Sequence, residues 1–235
     1  MKIEEKEKYR HEFKYPISAS ELRLIEERIC GILSKDAHVG ETGKYIISSL
    51  YFDDYNDKCF YENENGTDPR EKFRIRIYNH NSQRISLECK RKEKSKTLKK
   101  ACFLTKEQTE RIINGEVLSI DESMPPLLKK FINLQISDGL SPKVIVEYER
   151  IPYIYKLGNV RVTFDTHLSS SYDVKKFLEA NYIKRPVMPL GMELLEVKYD
   201  EFMPTYIYRV LQLKSLTQTA FSKYYLCRKY GLKNF

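Results

Sequence analysis

Along much of this chain, apolar and charged residues take alternate positions. In KFRIRIY (72–78), Arg74 and Arg76 sit between Phe73, Ile75 and Ile77. The same period of two runs through RHEFK (10–14), with Arg10, Glu12 and Lys14, and through SLECKRK (86–92), with Glu88, Lys90 and Lys92. VIVEYER (144–150) closes on Tyr148 and Arg150. RVTFDT (161–166) carries Arg161, Thr163 and Asp165, and LLEVKY (194–199) carries Glu196 and Lys198. Successive side chains of a strand point to opposite faces, so each segment reads as a strand with one apolar and one charged face.

The pattern between these segments predicts the remaining elements. A first strand covers residues 8–15. Ser18 and Glu21 then form a capping box ahead of Leu22, Ile25 and Ile29 at helical spacing, so residues 19–33 read as a helix. Residues 46–54 form a strand, followed by a short helical turn and loop ending at Gly66. Strands follow at 72–79, 84–92 and 98–104. Thr105 and Gln108 cap a helix that ends at Asn114-Gly115, and Pro125-Pro126 opens another over 127–135. Strands 144–155 and 160–170 are joined by a turn at Leu157-Gly158-Asn159, and the last strand is 192–200. Pro204 and Ser222 open two terminal helices, the second running to Gly231. With no linker, repeat or composition break, residues 1–235 read as one α+β domain dominated by antiparallel strands.

Composition sharpens this picture. The 235 residues are 41% hydrophobic and 31% charged, with 41 Lys and Arg against 33 Asp and Glu, a formal net charge of +8. That excess favours anionic partners. No apolar run reaches membrane-spanning length, and the N-terminal MKIEEKEKYR lacks the apolar core of a signal peptide. The five cysteines contain no CxxC pair, which predicts reduced thiols, a cytoplasmic protein and no zinc site. His11, His80 and His167 show no ligand spacing.

A solvated strand face usually mixes Thr, Ser, Lys and Glu. The charged faces here are heavy in Arg, which suits bidentate phosphate contacts. If the strands close into a barrel, one face of each points inward, and these cations line a lumen. Crowding them together costs free energy through repulsion and desolvation, so a polyanion is the expected occupant.

The ordered set RHEFKY (10–15), SLYFDD (49–54), KFRIRIY (72–78), SLECKRK (86–92), VIVEYER (144–150), VRVTFDT (160–166), LLEVKY (194–199) and FSKYYLCRKYG (221–231) resembles the triphosphate tunnel metalloenzymes. It is most similar to the catalytic domain of the vacuolar transporter chaperone (VTC) complex, a polyphosphate polymerase. The resemblance implies a closed eight-stranded antiparallel β-barrel with flanking helices. It assigns phosphate contacts to Lys14, Arg74, Arg76, Lys90, Tyr148, Arg150, Arg161 and Lys198, and to Ser222 and Lys223 at a helix start. Lys100 is the next basic contact, although Lys99 is adjacent. Glu196 resembles the family's metal ligand, for Mn2+ or Mg2+. The hydrolase and cyclase branch carries E-x-E-x-K on the first strand. Arg10 replaces the first glutamate here, which favours the polymerase branch and makes Arg10 a further expected phosphate contact, on the face of Glu12 and Lys14.

The expected activity is therefore ATP-dependent polyphosphate synthesis, a phosphotransferase reaction on ATP and inorganic polyphosphate. Two rivals stand beside it. One is a tripolyphosphatase or nucleoside triphosphatase in the same tunnel, kept open by Glu12, Glu88 and Glu196. The other is a non-enzymatic polyphosphate- or RNA-binding module. RNA binders set aromatic platforms beside their cations, whereas the aromatics here alternate onto the opposite face, which argues against nucleic acid. Glu88 and Asp165 could equally serve only to pair with neighbouring cations. Oligomeric state is not legible in the sequence.

Overall fold

The computed structural model describes residues 9–94 and 96–232. Its strands are, in chain order, β1 (Arg10–Ser18), β2 (Ser34–Lys35), β3 (Tyr45–Asp53), β4 (Arg70–Tyr78), β5 (Asn81–Glu93), β6 (Lys96–Leu104), β7 (Ser141–Tyr155), β8 (Val160–Ser171), β9 (Arg185–Pro186) and β10 (Met192–Tyr199). They pair antiparallel in the order β7-β3-β4-β5-β6-β1-β10-β8, and β8 pairs back with β7. This closes an eight-stranded barrel. The two-residue β2 and β9 add to β7 and β8. Their length leaves no alternation to read, and the sequence did not predict them. The predicted strand start at residue 8 lies outside the described residues.

Six helices flank the barrel: α1 (Ala19–Ile29), α2 (Lys58–Glu64), α3 (Lys106–Ile113), α4 (Pro126–Ser137), α5 (Thr205–Val210) and α6 (Lys223–Leu232). Both predicted capping boxes form. The Glu21 N–H donates to Ser18 Oγ at 3.2 Å, and the Ser18 N–H donates to Glu21 Oε2 at 2.7 Å. Thr105 and Gln108 make the same exchange at 3.0 Å in both directions. Such a cap is worth about 1 kcal/mol. The first helix ends at Ile29 rather than residue 33, because Ile32 and Leu33 turn back to donate to the Ile29 carbonyl. Between β7 and β8, Gly158 sits at φ 73°, and a Cβ there would lie 2.3 Å from the Phe202 carbonyl oxygen. Only glycine fits that turn.

The barrel carries two apolar cores outside and a third inside. Phe73, Ile75, Leu87 and Leu104 point outward from β4, β5 and β6 onto α3 and α4, through Ile112, Leu128 and Phe131. Ile17, Val162, Phe164 and Leu195 point outward from β1, β8 and β10 onto α1 and α5, through Ile25 and Ile207. Each such side chain contributes roughly 1.5–3 kcal/mol by leaving water. The third core differs. Ile47 and Tyr51 of β3 and Val144, Val146 and Tyr148 of β7 point inward and pack against Tyr224 and Cys227 of α6. The interior therefore has an apolar wall carrying a helix, whereas alternation alone predicted a wholly cationic lumen. Inward-facing Tyr and Val on two strands, packed against Tyr224 and Cys227 of α6, account for the difference.

Candidate functional site

The charged faces converge inside the barrel around a cavity of about 150 Å³. Ten Lys and Arg side chains line it, with two Glu, Glu12 and Glu196. This formal excess of eight equals the +8 of the whole chain, so the charges elsewhere cancel.

Four carboxylates tie the inner cations together. Arg74 donates from Nε to Glu88 Oε2 at 2.8 Å and from Nη1 to the Tyr51 hydroxyl at 2.8 Å. Arg76 stands 3.7 Å from Glu88 and donates to Ser49 Oγ at 3.1 Å and to the Tyr148 hydroxyl at 3.3 Å. Arg150 grips Asp165 with two bonds, at 2.6 and 2.8 Å, and reaches Glu196 at 3.3 Å. Lys223 pairs with Asp165 at 2.6 Å and lies over the Tyr148 ring. Lys198 pairs with Glu196 at 2.7 Å, Lys14 with Glu12 at 3.0 Å, and Lys90 with Glu12 at 2.6 Å.

These contacts set the protonation states. Burial pushes Glu196 toward the neutral form, but Lys198, Lys223, Lys14 and Arg150 outweigh it and hold the carboxyl well below its usual range. Burial opposes ionisation of Glu12 and Glu88 as well. Lys14, Lys90 and Lys198 overcome it for Glu12, and Arg76, Arg74 and Lys99 for Glu88. Asp165 is lowered by Arg150 and Lys223 against its own burial. Burial would also raise the Tyr148 phenol, yet Arg150, Arg76 and Lys223 bring it below its ordinary value. Lys90 is pulled down to about 7 by burial first, with Lys14 and Lys198 adding to the effect and Glu12 opposing it. Lys72 is also drawn down to about 7, by burial first, with Arg70 and Lys14 adding to it.

Among the described residues, no group of three His, Cys, Asp or Glu could share a metal ion. Glu12 and Glu196 nevertheless meet at one wall, both contacting Lys14 and Lys198. A hard divalent ion bound through one or two carboxylates, with phosphate oxygens completing its shell, fits that donor set.

A sequence profile described as the VTC domain matches residues 9–230. The chain belongs to the VTC domain family. No match was found among curated proteins. The VTC domain barrel also resembles solved structures. A candidate adenylate cyclase from Bacillus halodurans superposes with a TM-score of 0.54 at 16% identity, covering 92% of this chain and 95% of its own. The PH1819 protein from Pyrococcus horikoshii superposes with a TM-score of 0.51 at 17% identity, covering 94% and 99%. At such identities the likeness is one of fold alone.

Most of the residues singled out in the sequence line the cavity of this VTC domain: Lys14, Arg74, Arg76, Lys90, Tyr148, Arg150, Glu196, Lys198, Ser222 and Lys223. Three do not. Arg10 lies at the rim, where its Nε pairs with Asp200 at 2.9 Å and Nη2 donates to the Asn159 carbonyl at 2.8 Å. Arg161 shares a register position with Lys198, yet its Nη2 turns to Asp36 at 2.6 Å and to the Tyr45 hydroxyl at 3.2 Å. Lys100 is on the outward face. Register pairs Lys90 with Lys99 and Cys89 with Lys100, so Lys99 shares the inward side and donates to Glu88 at 3.2 Å. Glu88 and Asp165 serve as partners of neighbouring cations.

The sequence reading missed Arg70, Lys72 and Lys92 as site residues. The signal was present: Arg70 and Lys72 continue the parity of Arg74 and Arg76, and Lys92 that of Glu88 and Lys90. Tyr51, Asn63 and Tyr224 also line the cavity. Two of these sit on or beside helices, where strand parity says nothing.

Among the described residues, no helix is long and apolar enough to cross a membrane.

Proposed function

We propose that this VTC domain is an ATP-dependent polyphosphate polymerase. The triphosphate of ATP lies along Arg74, Arg76, Arg150 and Lys198, with Lys14, Lys90 and Lys223 completing the cationic wall and Tyr148 and Ser222 beside them. An oxygen of the terminal phosphate of an acceptor chain attacks the γ-phosphorus in line. The bond from that phosphorus to the β,γ-bridging oxygen breaks, and ADP leaves with the electron pair. A divalent ion at Glu196, Mn2+ or Mg2+, would supply charge neutralisation across the phosphate oxygens. The chain's own residues position both reactants and stabilise spreading negative charge.

One observation supports transfer over hydrolysis. The four carboxylates set among the inner cations are already bonded to them: Glu12 to Lys14 and Lys90, Glu88 to Arg74 and Lys99, Asp165 to Arg150 and Lys223, Glu196 to Lys198. All four are held ionised and weakly basic. Water needs a base to orient and deprotonate it, whereas a phosphate nucleophile is already anionic. The support that Arg10 lent to this branch is withdrawn by its place at the rim.

Purified protein incubated with ATP and Mn2+ should release ADP and accumulate polyphosphate visible on a gel. Orthophosphate and ADP without polymer, under several divalent metals, would make it a triphosphatase. Tripolyphosphate should displace ATP from the cavity, and single-stranded RNA should not.

A further inference from the structure

The cavity is not uniform along its length. At the Arg74 position of β4 the residue opposite on β5 is Glu88. One rung outward Lys72 faces Lys90, which in turn faces Lys99 of β6, and at the strand ends Arg70 faces Lys92. Like charges set directly opposite across a ladder destabilise it. Here they occur on consecutive inward-facing rungs.

Lys90 and Lys99 are bonded to Glu12 and Glu88, but the other three cations of these rungs have no acidic partner among the described residues. Arg70 donates to the Thr67 carbonyl at 2.9 Å. Lys72 donates to Asn63 Oδ1 and Ser222 Oγ, each at 3.1 Å, and lies over the Tyr224 ring. Among the described residues, no carboxylate bonds Arg70, Lys72 or Lys92. Asn63, Thr97 and Thr219, which share this end of the lining, are neutral and polar. A rise of about 3.3 Å per residue puts Arg70 about 13 Å from Arg74 along β4. That is farther than three linked phosphates held at Arg74 and Arg76 extend.

We propose that Arg70, Lys72 and Lys92 form a second anion subsite at the cavity mouth, which grips the phosphoryl groups of a linear polyphosphate beyond the first three and sets the preference for long chains over triphosphates. The assignment rests on the reading of the inner cavity as a triphosphate site. The two zones divide the work. Carboxylate-paired cations inside hold the reacting phosphates in one geometry. Unpaired cations at the mouth hold a polymer of no fixed register by charge alone, and repulsion between them is relieved when it binds. The neutral amide and hydroxyls beside them donate to, or accept from, phosphate oxygens without repelling the chain.

The test is a binding titration of the full chain with tripolyphosphate and with linear polyphosphates of increasing length, without nucleotide. For the wild type, affinity should rise at least about tenfold past three phosphates and then level off, as one or more charge-assisted contacts are added. In an Arg70→Gln/Lys92→Gln double variant, the ratio of long-chain to tripolyphosphate affinity should fall at least about fivefold. Lys92→Gln alone should give part of that fall, and it covers the case in which the Arg70 change disturbs the Thr67 turn. An affinity that is flat with length in the wild type, or a ratio unchanged in both variants, overturns the second subsite and leaves the inner site standing. A wild type that binds neither ligand removes the inner triphosphate site and the subsite with it.

Discussion

At Arg74 a guanidinium faces Glu88 across the ladder; two rungs outward, Arg70 faces Lys92. The two ends of one cavity thus hold similar side chains in opposite electrostatic settings. Inside, Arg74, Arg150, Lys198 and Lys223 are each bonded to a buried carboxylate, and the geometry is fixed before any ligand arrives. Fixed charge of this kind is what phosphoryl transfer draws on, because nothing must reorganise as the reaction proceeds. At the mouth, Lys72 is held by an amide, a hydroxyl and an aromatic ring. Its charge is left for the ligand to neutralise. The inner acids lower the net attraction for a polyanion but order the cations. The mouth does the reverse.

The largest expected effect distinguishes the two ends by stability. Arg150→Ala strips a bidentate partner from Asp165, which is fully buried. Removing one member of a buried pair costs about 3–5 kcal/mol. Turnover should also fall at least about tenfold through the lost phosphate contact. Lys92→Gln touches no ion pair and should move stability by about 0.5 kcal/mol or less. Urea midpoints of the two variants check this. Equal destabilisation would mean that the ends do not differ as described.

The next effect is ligand-induced. Crowded cations make the empty cavity costly, and a polyanion offsets that cost. At a hundredfold excess over its dissociation constant, tripolyphosphate should add about 2.7 kcal/mol. For a chain of this size that is a melting-temperature rise of about 5–10 °C. Longer polyphosphate at equal phosphate concentration should raise it further, and added salt should shrink the difference between the two first, because the mouth is the more solvent-screened end. A melting temperature indifferent to either anion would contradict the electrostatic account of both zones.

Much of this was legible in the sequence, and the reason is parity. Strand alternation fixes which side chains share a face, so Lys14, Arg74, Lys90, Arg150 and Lys198 could be placed together before their strands were paired. Parity does not say how far along a strand the cavity extends. Arg70 and Lys72 were therefore passed over, while Arg161, of the correct parity, turned out to bond Asp36. At Lys99-Lys100, adjacent lysines made parity ambiguous, and the β5–β6 register was needed to separate them. Asn63 and Ser222, which hold Lys72, come from separate parts of the chain, 159 residues apart by number. No local pattern links them. The apolar β3–β7 wall under α6 was equally hidden, because the same alternation serves an inward-facing or an outward-facing apolar side.

A smaller effect concerns pH. Lys72 is lowered to about 7 by burial, with Arg70 and Lys14 adding to the shift and Cys59 and Asp53 opposing it; Glu62 is also within electrostatic reach. In the unfolded chain a lysine keeps its proton to about 10.4. The unfolded state therefore binds more protons between these values, and Lys72 makes the free protein more stable as pH rises above about 7. Binding runs the other way. A polyanion favours the protonated amine, so above pH 7 binding takes up a proton and affinity falls by up to about tenfold per pH unit. Below pH 7 Lys72 is already charged and its share of the slope disappears. Calorimetry in buffers of differing ionisation enthalpy would show the uptake, and Lys72→Met should remove it. A slope that survives the substitution belongs to Lys90 or to the ligand.

The smallest effect is expected at Arg10, and it bears on where the cavity ends. Arg10 has the parity of Glu12 and Lys14, and it stands where the hydrolase branch carries a carboxylate. If it belonged to the cavity, replacing it would weaken the hold on the polymer. Its guanidinium instead pairs with Asp200 and donates to the Asn159 carbonyl, at a rim where the side chain is 29% exposed. An ion pair this open to solvent contributes about 0–1 kcal/mol. Arg10→Gln should therefore cost little stability and should leave both product length and the rate of short-polyphosphate hydrolysis within about twofold of wild type, since no charge in the cavity lining changes. Shorter product with the same fold would show that the electrostatic reach of the site extends past its lining residues to the first position of β1. The boundary between mouth and rim would then have to be drawn one rung further out.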